Sequence, residues 1–282
     1  MNPDRARLPP PIVLSFAASD PSGGAGLQAD LMTLSAIGCH PLSVTTALTV
    51  QDTVGVASVL AIDAGWVEDQ ARALLADMPV AAFKIGLLGS VENALVIAEI
   101  IADYPDLPLI VDPVLASGRG DELADDEMIA SLRQALLPLT TILTPNTLEA
   151  RRLVAAEDDD DEAPALAVCA QRLLSFGCQY VLLTGTHDQT PRVVNSLYGG
   201  AAGGLLRSDS WDRLPGSYHG SGCTLASALA AYLAKGLPIS DAVRAAQEYT
   251  WGALAAGFRA GRGQYLPDRF FQWRTGQGYL DG

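Results

Sequence analysis

Short apolar runs rich in β-branched residues alternate along this chain with amphipathic segments rich in Ala and Leu, from Pro11 onward. Runs of the first kind are typical of buried strands, and segments of the second kind are typical of helices that cover a sheet. The alternation therefore predicts repeated βα units around a mostly parallel sheet, which is an α/β fold.

Each predicted strand in the first two thirds of the chain is followed by a predicted helix. The strands are predicted at Ile12–Ala17, Ser43–Gln51, Ala81–Ile85, Leu109–Asp112, Thr141–Leu143 and Tyr180–Leu183. The helices are predicted at Ala25–Ile37, Gly65–Asp77, Val91–Ala102, Asp125–Leu136, Leu148–Ala155 and Ala165–Phe176. Arg192–Tyr198 and Leu205–Asp212 flank a glycine-rich segment, which predicts an antiparallel hairpin at the edge of the sheet. Two Ala-rich helices near Cys223–Lys235 and Ile239–Ala256 close the fold, and the apolar periodicity of the tail from Gly257 is too weak for an assignment.

The length and charge of the chain limit its organisation and its partners. With 282 residues, of which 49% are hydrophobic, the chain is long enough to bury one large core, and no linker or internal repeat interrupts it. We expect a single domain over residues 1–282, with residues 1–10 flexible. The net charge of −14 argues against a nucleic-acid partner, because like charge repels a phosphate backbone. A nucleotide is not excluded, because main-chain N–H groups and a divalent cation neutralise phosphate locally.

Cysteine usage and hydropathy indicate the compartment. Four cysteines lie far apart without a CxxC pair, which predicts neither a disulfide framework nor a zinc site. No apolar stretch reaches the roughly 18 residues that span a bilayer, and the N-terminus lacks the apolar region of an export signal. We therefore expect a cytoplasmic protein with no membrane partner. The acidic run Glu157–Glu162 is interpreted as a solvated loop rather than a metal site, because consecutive carboxylates repel one another.

Four clusters of glycine and polar residues follow predicted strands or precede a predicted helix. In an open α/β sheet, ligands bind beyond the carboxyl ends of the strands, so these clusters are the first candidates for a site. The clusters are SDPSGGAG at residues 19–26, Asp112-Pro113, Thr144-Pro145-Asn146 with Glu149, and Gly220-Ser221-Gly222-Cys223-Thr224.

The last of these clusters has the composition of an anion hole. Gly220 and Gly222 let the backbone turn, so that the N–H groups of Gly220, Ser221 and Gly222 converge where a helix begins and its macrodipole adds positive charge. Such a loop would stabilise the charge that develops during phosphoryl transfer. An ordinary glycine loop that caps a helix is the alternative interpretation.

Cys223 stands at the same helix N-terminus. The helix dipole favours a thiolate there, so its pKa is expected to fall and the residue is a candidate general base. Cys39, Cys169 and Cys178 have no such position and are interpreted as small buried hydrophobic residues.

Two carboxylates are candidates for magnesium. Asp112 follows an apolar strand, and Pro113 restricts it to an extended conformation. Glu149 lies on the first turn of the predicted helix that follows Thr144-Pro145-Asn146, where its carboxylate could bind Mg²⁺ through water. The alternatives are a turn aspartate for Asp112 and an acid that complements the helix dipole for Glu149.

The SDPSGGAG cluster does not match the common nucleotide loops. It lacks the GK[ST] of a P-loop and the spacing of the dinucleotide fingerprint, so a P-loop enzyme or a Rossmann oxidoreductase is disfavoured. Its glycines would instead permit close approach of the backbone to a small flat ligand. Gln28, on the following helix, is equally well explained as a polar residue that faces solvent.

Six blocks of the sequence resemble, in order and spacing, those of bacterial hydroxymethylpyrimidine/phosphomethylpyrimidine kinases. The blocks are SFAASDPSGGAGLQADLMTLSAIG, TALTVQDT, FKIGLLGS, IVDPVLASG, LTPNTLEA and HGSGCTLASALAAYLAKG, which cover about residues 12–258. The resemblance implies the ribokinase-like superfamily, a three-layer αβα sandwich, ATP and Mg²⁺ as cofactors, and a homodimer. It implies phosphorylation of 4-amino-5-hydroxymethyl-2-methylpyrimidine and its monophosphate in thiamine biosynthesis.

The resemblance also implies where the ligands lie. The pyrimidine is expected between SDPSGGAG and TALTVQDT, with Asp30 and Gln51 at its polar edge. The residues expected around the ring are Ala18, Gly24, Ala25 and Val114. The Gln51 amide suits this role, because it accepts from an exocyclic amine and donates to the adjacent ring nitrogen; a polar residue at a strand end is the alternative. The nucleotide is expected near Asn146, Thr184 and Gly185.

Two residues depart from the family pattern. Thr184-Gly185-Thr186-His187 stands where the family commonly has Lys-Gly-Gly-His, which removes a cation near the phosphates. Arg119, just beyond Asp112-Pro113, is hypothesised to replace that cation. Ala18 stands where Gly is usual and adds a methyl group beside the pyrimidine pocket. His187 and His219 have no identified partner and are expected to have surface or capping roles.

Two other functions stay open. A pyridoxal kinase is the first, because pyridoxal is another flat heterocycle with a hydroxymethyl arm. Cys223 favours the pyrimidine kinase, since sugar kinases and the larger pyridoxal kinases usually carry Asp at that position. Hydroxyethylthiazole kinase shares the cysteine but lacks SDPSGGAG. A catalytically idle protein that binds a pyrimidine or a nucleotide is the second alternative, suggested by Thr184.

Overall fold

The computed structural model describes residues 9–116, 120, 122–155, 164–188, 190–200 and 203–276. Arg119, the acidic run Glu157–Glu162 and the first eight residues of the expected flexible segment lie outside the described residues. Within the described ranges, strands and helices alternate over most of the chain, as the apolar periodicity predicts.

All the described strands belong to one sheet. They are β1 (Ile12–Ser19), β2 (His40–Gln51), β3 (Val56–Ala61), β4 (Val80–Ile85), β5 (Leu109–Val111), β6 (Ile142–Leu143), β7 (Tyr180–Thr184), β8 (Arg192–Gly199) and β9 (Gly204–Asp212). Their order is β3-β2-β1-β4-β5-β6-β7-β8-β9, and the run from β2 to β7 is parallel. The chain moves outward from β1 in both directions, to β2 on one side and β4 on the other. Such a reversal of strand order opens a crevice at the carboxyl ends of the strands.

The sheet has antiparallel strands at both edges. The predicted hairpin is confirmed by β8 and β9, but β3 was not predicted. It pairs antiparallel with β2 across a turn in which Asp52 Oδ1 accepts hydrogen bonds from the N–H groups of Val54 (2.7 Å) and Gly55 (3.2 Å). Most residues of β3 are exposed, so its sequence lacks the alternation that marks a half-buried strand.

Eight of the described helices lie close to their predicted positions, with one exception among them, and a short ninth lies in the tail for which the sequence gives no assignment. They are α1 (Gly26–Ile37), α2 (Ala64–Asp77), α3 (Val91–Ala102), α4 (Asp126–Ser131), α5 (Thr147–Val154), α6 (Leu166–Ser175), α7 (Ser221–Ala234), α8 (Ile239–Ala255) and α9 (Phe271–Gly276). After α4 the predicted helix continues as a π-helical turn over Leu132–Leu136 and a 3₁₀ turn over Leu137–Leu139. Pro138 explains the change, because its ring has no N–H and collides with the carbonyl one turn earlier. No described helix is both long and apolar enough to cross a membrane.

Two apolar cores cover the two faces of the sheet. Leu14 and Phe83 belong to the core under α2 to α6, whereas their neighbours Val13 and Ala82 belong to the core under α1, α7 and α8. All four side chains are fully buried, because helices cover both faces of a central parallel strand. The predicted three-layer αβα sandwich is therefore confirmed.

The tail beyond Gly257 folds back toward the start of α7. Tyr265 donates through its N–H to the Ser217 carbonyl (2.8 Å), and its own carbonyl accepts from the N–H of His219 (2.9 Å). Farther along, the Tyr249 hydroxyl on α8 donates to the carbonyl of Arg269 (2.5 Å). The tail thus becomes a wall of the region where α7 begins.

Candidate active site

Two adjoining cavities open at the carboxyl ends of the parallel strands. The first cavity has a volume of about 180 Å³ and the second a volume of about 330 Å³. The residues that line both are Thr144, Thr184, Thr186, His187, Tyr218, Ser221 and Gly222. The cavities therefore share a wall formed by the end of β7 and the start of α7.

Most of the residues predicted for the site line the first cavity. They are Ala18, Ala25, Gln51, Asp112, Val114, Asn146, Glu149, Thr184, Gly220, Ser221, Gly222 and Cys223. The amide of Gln51 makes no hydrogen bond with any described residue, so its donor and acceptor are both available to a ligand. Clusters far apart in the sequence thus meet at one place, and the role of each residue stays a prediction.

The turn before α7 is packed against the SDPSGGAG loop. Gly220 has a φ of 75°, in the left-handed region, and a Cβ on it would lie 1.9 Å from the Gly24 carbonyl oxygen and 2.9 Å from the Ala25 Cα. Only glycine fits both the conformation and the space. No side chain among the described residues caps α7, so the N–H groups of Ser221, Gly222 and Cys223, which precede the first intrahelical hydrogen bond, can bind an anion.

The expectation that the start of α7 lowers the pKa of Cys223 is wrong. Removal from solvent raises the pKa of this thiol to about 12; the buried Lys84 ammonium opposes the rise, and the carboxylates of Asp112 and Asp30 add to it. The residue keeps some exposure toward the cavity, but desolvation and the nearby negative charges outweigh the helix dipole. The thiol is therefore protonated at neutral pH. The other three cysteines are buried, as predicted.

Asp112 and Glu149 lie together in the first cavity. Asp112 Oδ2 is buried and has no hydrogen-bond partner among the described residues. Glu149 forms a capping box: its Oε2 accepts from the N–H of Asn146 (3.0 Å), and Asn146 Oδ1 accepts from the N–H of Glu149 (2.9 Å). Burial raises the pKa of Asp112 to about 6 and that of Glu149 to about 7, where the charge of Asp112 adds to the effect.

These carboxylates fit a Mg²⁺ ion that keeps several waters. Asp112 Oδ2 is an oxygen ligand with no other partner in the described ranges, and Mg²⁺ in phosphoryl-transfer sites is commonly held by one or two carboxylates together with substrate phosphates. No group of three or more metal-ligating side chains occurs among the described residues. The remaining ligands would therefore come from phosphate and water.

A strained turn connects the two carboxylates. Val114 has a φ of 37°, which is unfavourable for a β-branched residue and costs of the order of 1–3 kcal/mol. The turn places the N–H of Leu115 at 3.3 Å from Glu149 Oε1, to which it donates. Strain of this kind is concentrated at functional sites, in agreement with the predicted place of Val114 in the pocket.

Asp30 does not line the cavity, so its predicted contact with the substrate is wrong. Its carboxylate is fully buried and accepts hydrogen bonds from Lys84 Nζ (2.9 Å) and Ser227 Oγ (2.7 Å). Lys84, which sequence reasoning missed, is also fully buried and lines the first cavity. Desolvation lowers the pKa of Lys84, but the nearby negative groups, chiefly Asp30 and then Asp112, together with the hydrogen bond to Asp30 raise it above its ordinary value, so the ammonium stays charged. A lysine within an apolar strand was the available signal, because a buried charge needs a partner.

Gly24 and Gly185 line neither cavity, contrary to prediction. Gly24 provides room for its neighbours instead, since a Cβ on it would lie 2.2 Å from the ring of His219. The N–H of Gly185 donates to Oδ1 of Asn195 on β8 (3.1 Å), so this group stabilises the sheet rather than facing a ligand. Arg119, the predicted replacement for the missing lysine, lies outside the described residues.

His219 has a partner and is not a surface residue. Its Nε2 lies 2.9 Å from Asp20 Oδ2, and Asp20 also accepts from the N–H groups of Ser22 (2.8 Å) and Ala25 (2.7 Å). Desolvation raises the pKa of Asp20, but these hydrogen bonds, with that of His219 the largest, lower it to about 2. The ionised carboxylate therefore joins the SDPSGGAG loop to the residue before Gly220.

The second cavity carries a guanidinium group that sequence reasoning also missed. Arg213 donates to the carbonyl oxygens of Thr186 (2.8 Å), Thr190 (2.7 Å), Asp188 (2.5 Å) and Gly185 (3.3 Å). It forms no ion pair with any carboxylate in the described part of the chain. Among the described residues, its charge is therefore balanced by carbonyl dipoles rather than by a carboxylate in direct contact.

Comparison with known proteins identifies the family. The profile described as phosphomethylpyrimidine kinase matches residues 20–268. The chain belongs to the phosphomethylpyrimidine kinase family. A relative from Streptomyces coelicolor named hydroxymethylpyrimidine/phosphomethylpyrimidine kinase is 42% identical over 254 residues, which are 90% of this chain and 92% of the relative.

Solved structures of kinases share the fold. The pyridoxal kinase of Staphylococcus aureus in complex with ADP is 28% identical, with a TM-score of 0.83 and coverage of 94% of this chain and 95% of that one. The phosphomethylpyrimidine kinase of Clostridium difficile is 35% identical, with a TM-score of 0.72 and coverage of 86% and 98%. The ribokinase-like fold and the kinase family implied by the six sequence blocks are confirmed.

In this member of the phosphomethylpyrimidine kinase family, Gly220→Ala is expected to lower kcat/KM by about 10²-fold, because the new methyl group would force apart the two loops that border the first cavity. Gly236→Ala is the matched control. Gly236 has a similar φ of 82°, but a Cβ on it would meet no atom within 4 Å, so that variant carries the backbone strain without the collision. Steady-state kinetics compare them, and equal losses of activity would contradict the crowding argument.

Asp112→Asn is expected to stabilise the folded protein. The pKa of Asp112 is about 6 in the folded state, against an ordinary value of 3.8 in the unfolded state. The ionised carboxylate therefore destabilises the folded state: this effect develops as the pH rises from 3.8 to about 6 and is complete above that pH. In buffer without divalent cations, the variant should gain about 1–3 kcal/mol in free energy of unfolding at pH 8, with the difference vanishing near pH 4. Urea unfolding at both pH values measures this, and a loss of stability at pH 8 would refute it.

Proposed function

We propose that this chain transfers the γ-phosphoryl group of ATP to the hydroxymethyl oxygen of 4-amino-5-hydroxymethyl-2-methylpyrimidine, and then to the resulting monophosphate, in thiamine biosynthesis. One observation carries the proposal: the N-terminus of α7, a thiol, two buried carboxylates and the free amide of Gln51 meet in the first cavity. Phosphoryl transfer depends on positioning and on charge stabilisation more than on covalent chemistry. Family membership supports the same substrate class.

The first cavity suits the aminopyrimidine. The Gln51 amide, which has no protein partner among the described residues, matches the exocyclic amine and the adjacent ring nitrogen. Ala18, Ala25 and Val114 supply apolar surface for the flat ring. The Ala18 methyl group reduces the space available and is proposed to narrow the range of substrates.

The second cavity suits the nucleotide. Ser221 and Gly222 line both cavities, so a γ-phosphate bound by the first turn of α7 would lie between the nucleotide and the pyrimidine hydroxyl. Thr184 is part of the shared wall and forms a backbone bridge with Asn146, so two of the four residues predicted to contact the nucleotide are neighbours. Mg²⁺ held by Asp112 and Glu149 would neutralise charge on the phosphates.

Cys223 and Asp112 are proposed to remove the hydroxyl proton together. The two side chains line the same cavity and interact electrostatically, and Asp112, with a pKa of about 6, is ionised at neutral pH while the thiol is protonated. The hydroxymethyl proton would pass to Sγ as the thiol proton passes to the Asp112 carboxylate, and Mg²⁺ would then be kept by Glu149 and the phosphates. Cys223 thus acts as a base only with Asp112 as the final acceptor, which modifies the prediction of an independent thiolate.

Arg213 is proposed to supply the cation that Thr184 does not. The other cation among the described lining residues is Lys84, whose charge is balanced by Asp30. Arg213 lines the second cavity without an ion-pair partner among the described residues, so its charge is available to polyphosphate.

Pyridoxal is a second candidate substrate. The similarity in fold to the pyridoxal kinase of Staphylococcus aureus over 94% of the chain favours it, because that protein is named for this ring. The single-domain organisation, the homodimer and the cytoplasmic location also stay predictions. Exposed apolar side chains on β2 and β3, namely Leu48, Val50, Val59 and Leu60, support an interface between two copies at that edge of the sheet.

The proposed function predicts ATP turnover that depends on the aminopyrimidine. Coupled measurement of ADP release should show turnover with the aminopyrimidine and with its monophosphate, and lower kcat/KM with pyridoxal. Cys223→Ala and Cys223→Ser should reduce kcat by about 10²-fold or more, since proton transfer is worth that much. Cys178→Ser, which alters a buried cysteine away from the cavities, is the control. Binding of the pyrimidine without turnover would favour an idle binding protein, and a preference for pyridoxal would favour the second candidate.

Arg213→Met is expected to raise KM for ATP by about tenfold, as expected for loss of a charge-assisted contact of about 1.5 kcal/mol, and to leave KM for the pyrimidine within about twofold. Arg119→Ala, measured beside it, tests whether that arginine replaces the missing lysine and should leave kcat/KM within about twofold. Thr184→Lys in the Arg213→Met background should restore part of the affinity. The opposite ranking of the two arginine variants would assign the missing cation to Arg119.

A further inference from the structure

The tail places a buried guanidinium group behind the two loops that border the first cavity. Arg269 is 3% exposed and follows directly after the segment that matches the family profile. The Tyr249 hydroxyl holds its carbonyl (2.5 Å), so α8 fixes the backbone from which the side chain extends. The tail therefore contributes a side chain to the immediate surroundings of the first cavity.

The guanidinium of Arg269 contacts both loops. Its Nη2 donates to the carbonyl of Gly24 (2.5 Å) and its Nη1 to the carbonyl of Gly23 (3.4 Å), both in the SDPSGGAG loop. Its Nε donates to Oγ1 of Thr224 (3.1 Å), in the first turn of α7. A planar donor group with several N–H bonds in fixed directions thus sets the separation of the loops.

Thr224 extends this contact to the anion-binding turn. Its Oγ1 donates to the carbonyl of Gly220 (2.8 Å) while it accepts from Arg269. Gly220 and Gly24 are already so close that a single methyl group would not fit between them. Arg269 therefore contacts both segments that meet here: the loop at Gly24, which borders the proposed pyrimidine site, and, through Thr224, the turn at Gly220, which borders the proposed phosphate site.

The charge of Arg269 is unusual for a buried residue. It forms no ion pair with any carboxylate in the described ranges, and its partners are two carbonyls and a hydroxyl. Asp268, its neighbour in sequence, pairs with Arg274 instead (3.2 Å). Burial lowers the pKa of Arg269, because removal from water disfavours the charged guanidinium. The charges of Asp30 and Asp20 offset part of this effect, but a buried cation without a carboxylate in direct contact is costly, which argues for a role beyond packing.

We infer that Arg269 is a positioning residue for phosphoryl transfer, which holds the substrate loop and the Gly220 turn in the relative position that the reaction needs and adds positive charge behind the anion hole. This inference rests on the proposed function. A displacement of about 1 Å between reacting groups costs about 10²-fold in rate, so loss of the guanidinium should appear in kcat. The side chain of Arg269 lines neither cavity, so it would not contact either substrate and the KM values should change little.

Arg269→Gln and Arg269→Lys test the inference, with Arg274→Gln as the matched control. Arg274 lies in the same tail and also carries a guanidinium, but it is half exposed and touches neither loop. Arg269→Gln is expected to lower kcat by about 10²-fold with KM for ATP and for the pyrimidine within about threefold, and Arg269→Lys to keep part of kcat because it keeps the charge. Arg274→Gln should keep wild-type kinetics. Guanidinium chloride at low millimolar concentration should partly restore kcat to Arg269→Ala and not affect the wild type.

Several outcomes would overturn the inference. Unchanged kcat with a lower melting temperature in Arg269→Gln would make the residue structural only, and a rise in KM for the pyrimidine at constant kcat would confine it to binding. Should the Arg269 variants not fold, Thr224→Val decides: it cuts the link to Gly220 and should lower kcat by about tenfold, whereas wild-type kcat in that variant would refute the link. An inactive wild-type protein would remove the proposed function and this inference together, while an active wild type with a fully active Arg269→Gln would remove the inference alone.

Discussion

The site depends on the close approach of two backbone segments, the turn at Gly220 and the loop at Gly24. Neither segment belongs to a strand or to the interior of a helix, so the sheet alone does not hold them together. Three groups do so from different directions: the ionised Asp20 through His219, the guanidinium of Arg269, and the hydroxyl of Thr224. The first turn of α7 faces the cavity with its N–H groups free because this contact orients it.

A second theme is the number of charges that the crevice removes from water. Asp112 and Glu149 are buried with raised pKa values, and Lys84 is held as an ion chiefly by Asp30. Removal of one member of a buried pair such as Lys84 and Asp30 typically costs about 3–5 kcal/mol. The buried charges lower the free energy of unfolding of the ligand-free protein. Ligands of opposite charge would offset that cost, so the crevice is better suited to the substrate-bound state than to the free state.

Much of this arrangement followed from local sequence patterns, and the remainder required the path of the chain. Apolar periodicity indicated the parallel strands and their helices, and glycine placed before a helix indicated the turn at Gly220. The failures have physical causes. Asp30 was assigned to the substrate from the family resemblance, yet the helix turns its carboxylate into the interior, toward Lys84. The role of Arg269 depends on the tail folding back toward the start of α7, which a local sequence pattern does not show. The pKa of Cys223 depends on desolvation and on neighbours distant in sequence, which such a pattern does not show either.

The wall common to the two cavities has a consequence for the order of events. Ser221 and Gly222 border both spaces, so there is one set of main-chain amides for any phosphate that reaches this point. A phosphate already attached to the pyrimidine and the terminal phosphate of a fresh nucleotide would compete for those amides. Two successive phosphorylations at this wall would therefore be separate binding events rather than one processive reaction. Between them, the intermediate would dissociate or reorient in its pocket.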